Sequence, residues 1–414
     1  MKNSRLVAFE ILYDILRDNA YSNIAVDKAL KAAETDKSFV SSLVYGVLER
    51  KITPDYILLP YLSGKTKPKV KILLYLGAYQ LYFMSKVPSS AAINESVALT
   101  KEVGAGFYSK LVNAVLHNVD DNRIDINAID DLSVKYSCPK NLIAMWKKAY
   151  GEEKTLQILS SVNERPPVFA VPNSLYADAD ECLYELNNIG IFGEIIDDII
   201  RIDSPFDLNK CKPFNDGLFH IEDMSSYKCA KVLAAEETDV VYDVCSAPGG
   251  KAFTIAESMH NHGMVYAFDL HQHRVELIEK SAQRLGLTNI ICGVNDALVY
   301  NESLQKADKI LCDVPCSGFG IIRRKPEIRY KELDSIKELP DIQYKILQVS
   351  SAYLKDGGRI IYSTCTLNKR ENEKVVERFL ENHDDFRLIE ETTTFPSKFG
   401  GDGFYYALME KTND

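Results

Sequence analysis

Apolar residues recur at helical spacing through the first 130 or so residues. Leu6, Phe9, Ile11, Leu12 and Ile15 form one stripe, and Phe39, Leu43, Val44 and Val47 another, after Thr35 and Asp36 as candidate caps. The spacing predicts further helices at about 68–84, 90–103 and 107–118, broken by Pro88 and by Gly104 and Gly106. No alternating strand pattern interrupts them, so residues 1–130 read as an all-helical domain.

Residues 120–131 are acidic and short of large apolar side chains, which marks a linker. A helix with Trp146 on its apolar face is predicted over 133–163, stopped by Pro166 and Pro167. A strand at 168–173, a helix at 178–190 and short strands near 191–202 follow. Residues 131–228 therefore read as a small mixed module. From about 229 continuous apolar runs alternate with amphipathic stretches. Strands are predicted at 239–244, 264–269, 289–294, 307–314, 358–365 and 404–411, with helices at 250–259, 272–285, 340–355 and 369–382. Such runs indicate a parallel sheet covered on both faces, with its ligand crevice at the carboxyl ends of the strands. The expected architecture is multidomain: an all-α N-terminal domain, the mixed module, and an α/β Rossmann-like domain at 229–414.

Composition narrows the class without choosing it. Of 414 residues 46% are hydrophobic and 26% charged, as in ordinary globular chains. No apolar run reaches membrane-span length, and charges interrupt the N-terminal apolar pattern where a signal peptide needs an unbroken core. The nine cysteines are dispersed with no CxxC pair, and the histidines are scattered. A zinc site is not expected, and a reducing, cytoplasmic setting is. The net charge of −10 excludes a surface coated with basic residues but not local patches. Two windows stand out. One holds Arg50, Lys51, Lys65, Lys67, Lys69 and Lys71 against Asp55; the other holds Arg323, Arg324, Lys325, Arg329 and Lys331 against Glu327.

The first turn of the C-terminal domain reads Asp243-Val-Cys245-Ser246-Ala247-Pro248-Gly249-Gly250-Lys251. Glycines there let backbone approach a ligand, and a helix N-terminus favours an anionic group such as a methionine carboxylate. The pattern is neither GxGxxG nor a phosphate loop. Asp269 ends the second strand, where a carboxylate accepts ribose hydroxyls, and Asp296 follows the third, where an acceptor meets an adenine amino group. One such acid alone reads as a turn residue. Three acids after successive strands, together with the glycine turn, read as a nucleoside site.

Asp313-Val-Pro-Cys316 follows the fourth strand and Ser363-Thr-Cys365-Thr the fifth, so both cysteines fall at the edge that carries the glycine turn. A thiolate adding to carbon 6 of a cytosine makes carbon 5 enamine-like and able to take a methyl group from a sulfonium. The chemistry also needs a group at N3 and a base for the carbon 5 proton. Asp313 is placed for the first and Cys316 for the second, with Lys251 positioned to hold Asp313 or lower a thiol pKa.

DVCSAPGGK, DVPCSG and YSTCT resemble the three central motifs of the RNA cytosine-5 methyltransferase family, the Nop2/Sun or RsmB group. The resemblance extends over most of 220–414, including His220–Ser225 and Gly401–Phe404; Ser246 stands where alanine is usual and Ala252 where threonine is common. It implies that Cys365 attacks and Cys316 assists release. It also implies that Cys245–Lys251, Asp269, Arg274, Asp296 and Asp313 contact S-adenosylmethionine. Arg5, Ala8, Asp36–Phe39, Tyr45 and Gly46 are similar to NusB-like RNA-binding domains. That fusion resembles the RsmB/Sun branch, which implies 16S ribosomal RNA as substrate for a monomer with no DNA or membrane partner. In that setting Lys65, Lys67, Lys69 and Lys71 become a phosphate track, and Arg323, Arg324 and Lys325 a grip on RNA beside a flipped base.

Alternatives remain at this stage. Transfer RNA or 23S ribosomal RNA could be the substrate. A DNA cytosine-5 methyltransferase would attack with Cys316, and a non-enzymatic RNA-binding factor would use the helical domain alone.

Overall fold

The computed structural model describes residues 3–18 and 22–412. The chain divides into two units, 1–164 with 322–331, and 165–321 with 332–414.

The first unit is helical. Its centre is the helix Pro68–Phe83, buried all round through Val70, Leu73, Leu74, Leu76 and Ala78, as a core helix must be. Ser4–Asp18, Lys37–Arg50, Ser89–Glu102 and Ser109–Asp121 pack into the same core. The expected caps and stripes are present: Asp36 Oδ1 accepts from Phe39 N at 3.0 Å, and Leu43, Val44 and Val47 are buried.

The boundary expected at 130 moves. The helices after it belong to the first unit, and the single helix expected over 133–163 is two, Leu132–Tyr136 and Lys140–Ser161. Ser137 in the left-handed region and Pro139 separate them, and Gly151 at φ 78° kinks the second. An apolar stripe tells that a helix packs, not against what. Trp146 is fully buried, as its position on the stripe requires.

Residues 322–331 also join this unit. Arg329 is 1% exposed, and its guanidinium donates to the carbonyls of Glu49, Ser137 and Val162 and to Asn163 Oδ1 at 2.8–3.1 Å. Glu327 accepts from Ser22 N and Oγ. Of the basic window expected to grip RNA, Arg323 and Arg329 are buried, and Arg324 and Lys325 are half-buried. A fully buried guanidinium with four acceptors is a fastening within the helices, not a phosphate contact.

In the second unit strands β1 (Val168–Pro172), β2 (Gly193–Ile196), β3 (Ile199–Ile202) and β4 (Phe219–Ile221) form an antiparallel sheet in the order β2-β3-β1-β4. The remaining strands are β5 (Val240–Asp243), β6 (Met264–Asp269), β7 (Ile290–Val294), β8 (Ala307–Asp313), β9 (Leu354–Thr364), β10 (Phe386–Thr394) and β11 (Phe404–Lys411). They form a seven-stranded sheet ordered β10-β11-β9-β8-β5-β6-β7.

The five strands β5 to β9 are parallel, as expected. β11 is antiparallel to β9, and β10, which had no sequence signal, is antiparallel to β11. Most of β10 is exposed at the sheet edge, so its sequence carries no apolar run to reveal it. Chain order reverses at β5, whose neighbours are β6 and β8, and the crevice of such a sheet opens there. No helix among the described residues is long and apolar enough to cross a membrane.

Candidate active site

β5 ends at Asp243 and the turn to the helix Gly250–Ser258 passes through Gly249 at φ 109°, a conformation that favours glycine. A Cβ on Gly249 would also lie 2.3 Å from the Phe253 ring. Asp243 Oδ1 and Ser246 Oγ are buried without a hydrogen-bond partner, and burial pushes the Asp243 carboxyl up to about 7. Buried polar atoms of this kind at a glycine turn fit the polar groups of a bound nucleoside-type ligand. Cys245 and Ala247 are half-buried in this turn and Pro248 is exposed.

Asp269 is nearly buried at the end of β6. Its Oδ1 accepts from His271 N at 3.1 Å and its Oδ2 lies 3.3 Å from Arg274 Nη1. Arg274 is thus placed on Asp269. Asp296 follows β7, with Oδ1 accepting from Leu298 N.

The register of β8 and β9 builds the rest. Asp313 pairs opposite Ser363, so the loops leaving the two strands start side by side. Ser363 Oγ donates to Asp313 Oδ1 at 2.9 Å, and Lys251 Nζ lies 2.7 Å from Asp313 Oδ2. Burial alone would lower the Lys251 ammonium, but the Asp313 and Glu222 carboxylates outweigh it and hold it above its ordinary value. Cys316 Sγ lies 3.2 Å from Cys365 Sγ. The bond to Cys365, burial, and the nearby Glu371 and Asp313 raise Cys316 well above the usual thiol range.

A backbone crossing keeps the loops together. Gly320 N donates to Cys365 O and Gly403 N to Gly320 O, each at 3.0 Å. A Cβ on Gly320 would lie 1.9 Å from Gly403 O.

The structure thus brings Lys251, Asp313, Cys316 and Cys365 into one cluster at the carboxyl ends of β5, β8 and β9. Asp243, Asp269 and Asp296 lie along the same edge. Lys65, Lys67 and Lys69 are exposed in the helical unit, while Lys71 pairs with Asp55 at 2.9 Å and Lys69 Nζ donates to Val103 O.

Three supporting residues were given no role of their own by the sequence reading. Ser363 could have been found from its place within YSTC. Glu371 falls within the helix expected at 369–382, but the observed helix begins only at Glu373 and leaves Glu371 in the loop before it. His220 is buried between Glu222 and Glu257, 3.4 Å from each. Burial opposes its charge, but the two carboxylates prevail and set it at about 9.

Comparison with known proteins follows the same lines. The family model described as 16S rRNA methyltransferase RsmB/F matches residues 230–410, and the NusB family model matches 2–121. Fold and site together define a methyltransferase whose methyl donor is S-adenosylmethionine. A probable ribosomal RNA small subunit methyltransferase B of Bacillus subtilis (strain 168) is 36% identical, covering 98% of each chain. A second, from Synechocystis sp., is 33% identical over 99% of this chain and 100% of its own. The solved structure of PH0851 superposes with a TM-score of 0.83 at 25% identity, covering 99% of both chains. The chain belongs to the ribosomal RNA small subunit methyltransferase B family.

Proposed function

We propose that the protein methylates carbon 5 of a cytosine in 16S ribosomal RNA through a covalent bond from Cys365. The single observation that carries this reading is the pair of sulfurs 3.2 Å apart at the carboxyl edge of the sheet, beside Lys251 and Asp313. A methyltransferase acting on an oxygen or an amino nitrogen has no use for two facing thiols. The small-subunit RNA named for the relatives supports the choice of substrate.

The residues of the nucleoside turn suit the donor. Asp243 Oδ1 is an unpartnered acceptor for an ammonium, the start of the helix Gly250–Ser258 suits a carboxylate, and Asp269 suits ribose hydroxyls. Cys245–Lys251, Asp269, Asp296 and Asp313 would hold the cofactor, with Arg274 orienting Asp269. The chemistry supplied by S-adenosylmethionine when bound is an electrophilic methyl group on a sulfonium.

The protein's own groups do the rest. Cys365, as thiolate, adds to carbon 6, and the proton held between Lys251 and Asp313 is delivered to N3. Carbon 5 then has enamine character. After methylation Cys316 gives its proton to water and takes the carbon 5 proton. The freed electron pair re-forms the 5,6 double bond and expels the Cys365 thiolate, and N3 returns its proton to the Asp313 pair. Both cysteines end as they began, and one proton leaves with the methylation. Nine unpaired cysteines suit a reducing, cytoplasmic setting for this chemistry.

The test is nucleoside analysis of 16S ribosomal RNA, taken from cells lacking the protein, after incubation with the purified chain and labelled S-adenosylmethionine. Label in 5-methylcytidine is expected; label in any other nucleoside contradicts the reading.

The helical unit supplies the RNA contacts in this reading. Replacing Lys65, Lys67 and Lys69 together by alanine is expected to weaken binding to unrelated RNAs alike. It should also lower the slope of log affinity against log salt by about two to three, roughly one per lost phosphate contact. Lys71, already paired with Asp55, should add little. An unchanged slope would remove this face from the interface.

A further inference from the structure

Between the two cysteine loops lies a carboxylate with no place in the chemistry above. Glu371 is 0% exposed. Its Oε2 accepts from Ser317 N at 2.8 Å and from Gln343 Nε2 at 3.1 Å. Its Oε1 accepts from Ser317 Oγ at 2.5 Å and from Asn368 Nδ2 at 2.7 Å. All four bonds run toward the carboxylate, so both oxygens are fully used as acceptors.

Two of the four donors belong to Ser317, the residue after Cys316. Gln343 Nε2 also donates to Pro315 O at 3.0 Å, on the other side of that cysteine. The loop carrying Cys316 is therefore held before and after its sulfur, and Glu371 is the common anchor.

Cys365 is fastened by different groups. Thr364 Oγ1 donates to Asn372 Oδ1 at 2.6 Å, and Asn372 Nδ2 to Thr366 O at 2.9 Å. Thr366 Oγ1 accepts from Phe319 N and lies 2.7 Å from Ser317 Oγ. Since the Ser317 hydroxyl donates to Glu371, Thr366 is the donor in that last bond. Two neighbouring residues, Glu371 and Asn372, thus each hold one cysteine loop.

We propose that Glu371 is the positioning residue that holds Cys316 for product release, while Asn372 holds the attacking Cys365. This rests on the proposed division of labour between the two cysteines. Glu371 does not touch the base; it fixes where the Cys316 sulfur stands relative to Cys365. Its charge near Cys316 also favours the protonated thiol at rest. Loss of the anchor should therefore spare attack and impair the step that needs Cys316.

The test compares Glu371→Gln, Glu371→Asp, Cys316→Ala and Cys365→Ala, incubated with 16S ribosomal RNA and S-adenosylmethionine and run on denaturing gels. An amide cannot serve four donors, because whichever way it turns its NH2 group faces two of them. Glu371→Gln is expected to lower turnover roughly tenfold to a hundredfold. It should retain a protein–RNA band that survives denaturation, as Cys316→Ala does, with cofactor affinity unchanged by calorimetry. Glu371→Asp, which keeps the charge and acceptors, should recover part of the turnover.

Adding Cys365→Ala to Glu371→Gln should abolish the band. Turnover lost without a band in Glu371→Gln, while Cys316→Ala shows one, would make Glu371 a merely structural residue and overturn the proposal. No band in Cys316→Ala would instead refute the division of labour, and this assignment with it. Should Glu371→Gln fail to fold, Ser317→Ala carries the same test. It removes one of the four bonds, and the same band is expected at lower yield.

Discussion

Cys365→Ala is expected to abolish methylation outright and to leave no covalent RNA–protein species, whereas Cys316→Ala should accumulate one. The asymmetry follows from the order of steps. Without the Cys365 sulfur no bond to carbon 6 forms, and carbon 5 never becomes nucleophilic. Without Cys316 attack and methyl transfer remain available, but the carbon 5 proton has no acceptor, so the product stays bound to Cys365. A loss of at least about a thousandfold in steady-state turnover is expected for both variants, as for removal of a covalent nucleophile or its essential partner. They differ in the trapped species, not in the rate. A band with Cys365→Ala and none with Cys316→Ala would exchange the two roles and point to the chemistry of DNA cytosine-5 methyltransferases.

Asp269→Ala is expected to weaken S-adenosylmethionine binding by tenfold or more while leaving RNA affinity unchanged. Its carboxylate is nearly buried at the end of β6, where two hydroxyl contacts would be lost, each worth about 1.5–3 kcal/mol for a charged acceptor. Arg274 Nη1 stands 3.3 Å from the same carboxylate, so Arg274→Ala should weaken binding less, by loosening Asp269 rather than removing a contact. Calorimetry with the cofactor, beside a filter-binding measurement with RNA, separates the effects. Unchanged cofactor affinity in Asp269→Ala would move the nucleoside site elsewhere.

The placement of the site was readable because it is written in short segments at strand ends. Each of Asp243–Lys251, Asp313–Cys316 and Ser363–Cys365 occupies one turn, and a parallel sheet places successive turns at one edge. The pairing of Asp313 with Ser363 was not readable, since it depends on the register of β8 against β9. Nor was the contact of Glu371, which meets Ser317 across 54 residues of chain and does so through hydrogen bonds that leave no periodic trace.

The burial of Arg329 within the basic segment 323–331 was hidden for a related reason. Charge counts assume solvent, whereas Arg329 finds three backbone carbonyls and an asparagine in the helical unit. The module expected at 131–228 dissolved because a helix stripe reports burial without naming the neighbour. Its helices at 132–161 went one way and its sheet the other. β10 stayed hidden because a mostly exposed edge strand has no apolar pattern to show.

The central claim is that Cys365 forms the bond to the base. The measurement that meets it most directly uses 16S ribosomal RNA carrying 5-azacytosine, whose ring nitrogen at position 5 holds no proton to remove, so the adduct cannot resolve. Incubated with the protein and S-adenosylmethionine, then digested with protease and nuclease, the complex is mapped by mass spectrometry. The nucleotide mass is expected on the peptide containing Ser363-Thr-Cys365-Thr, with the Asp313–Cys316 peptide unmodified. A nucleotide on Cys316, with Cys365 bare, would contradict it.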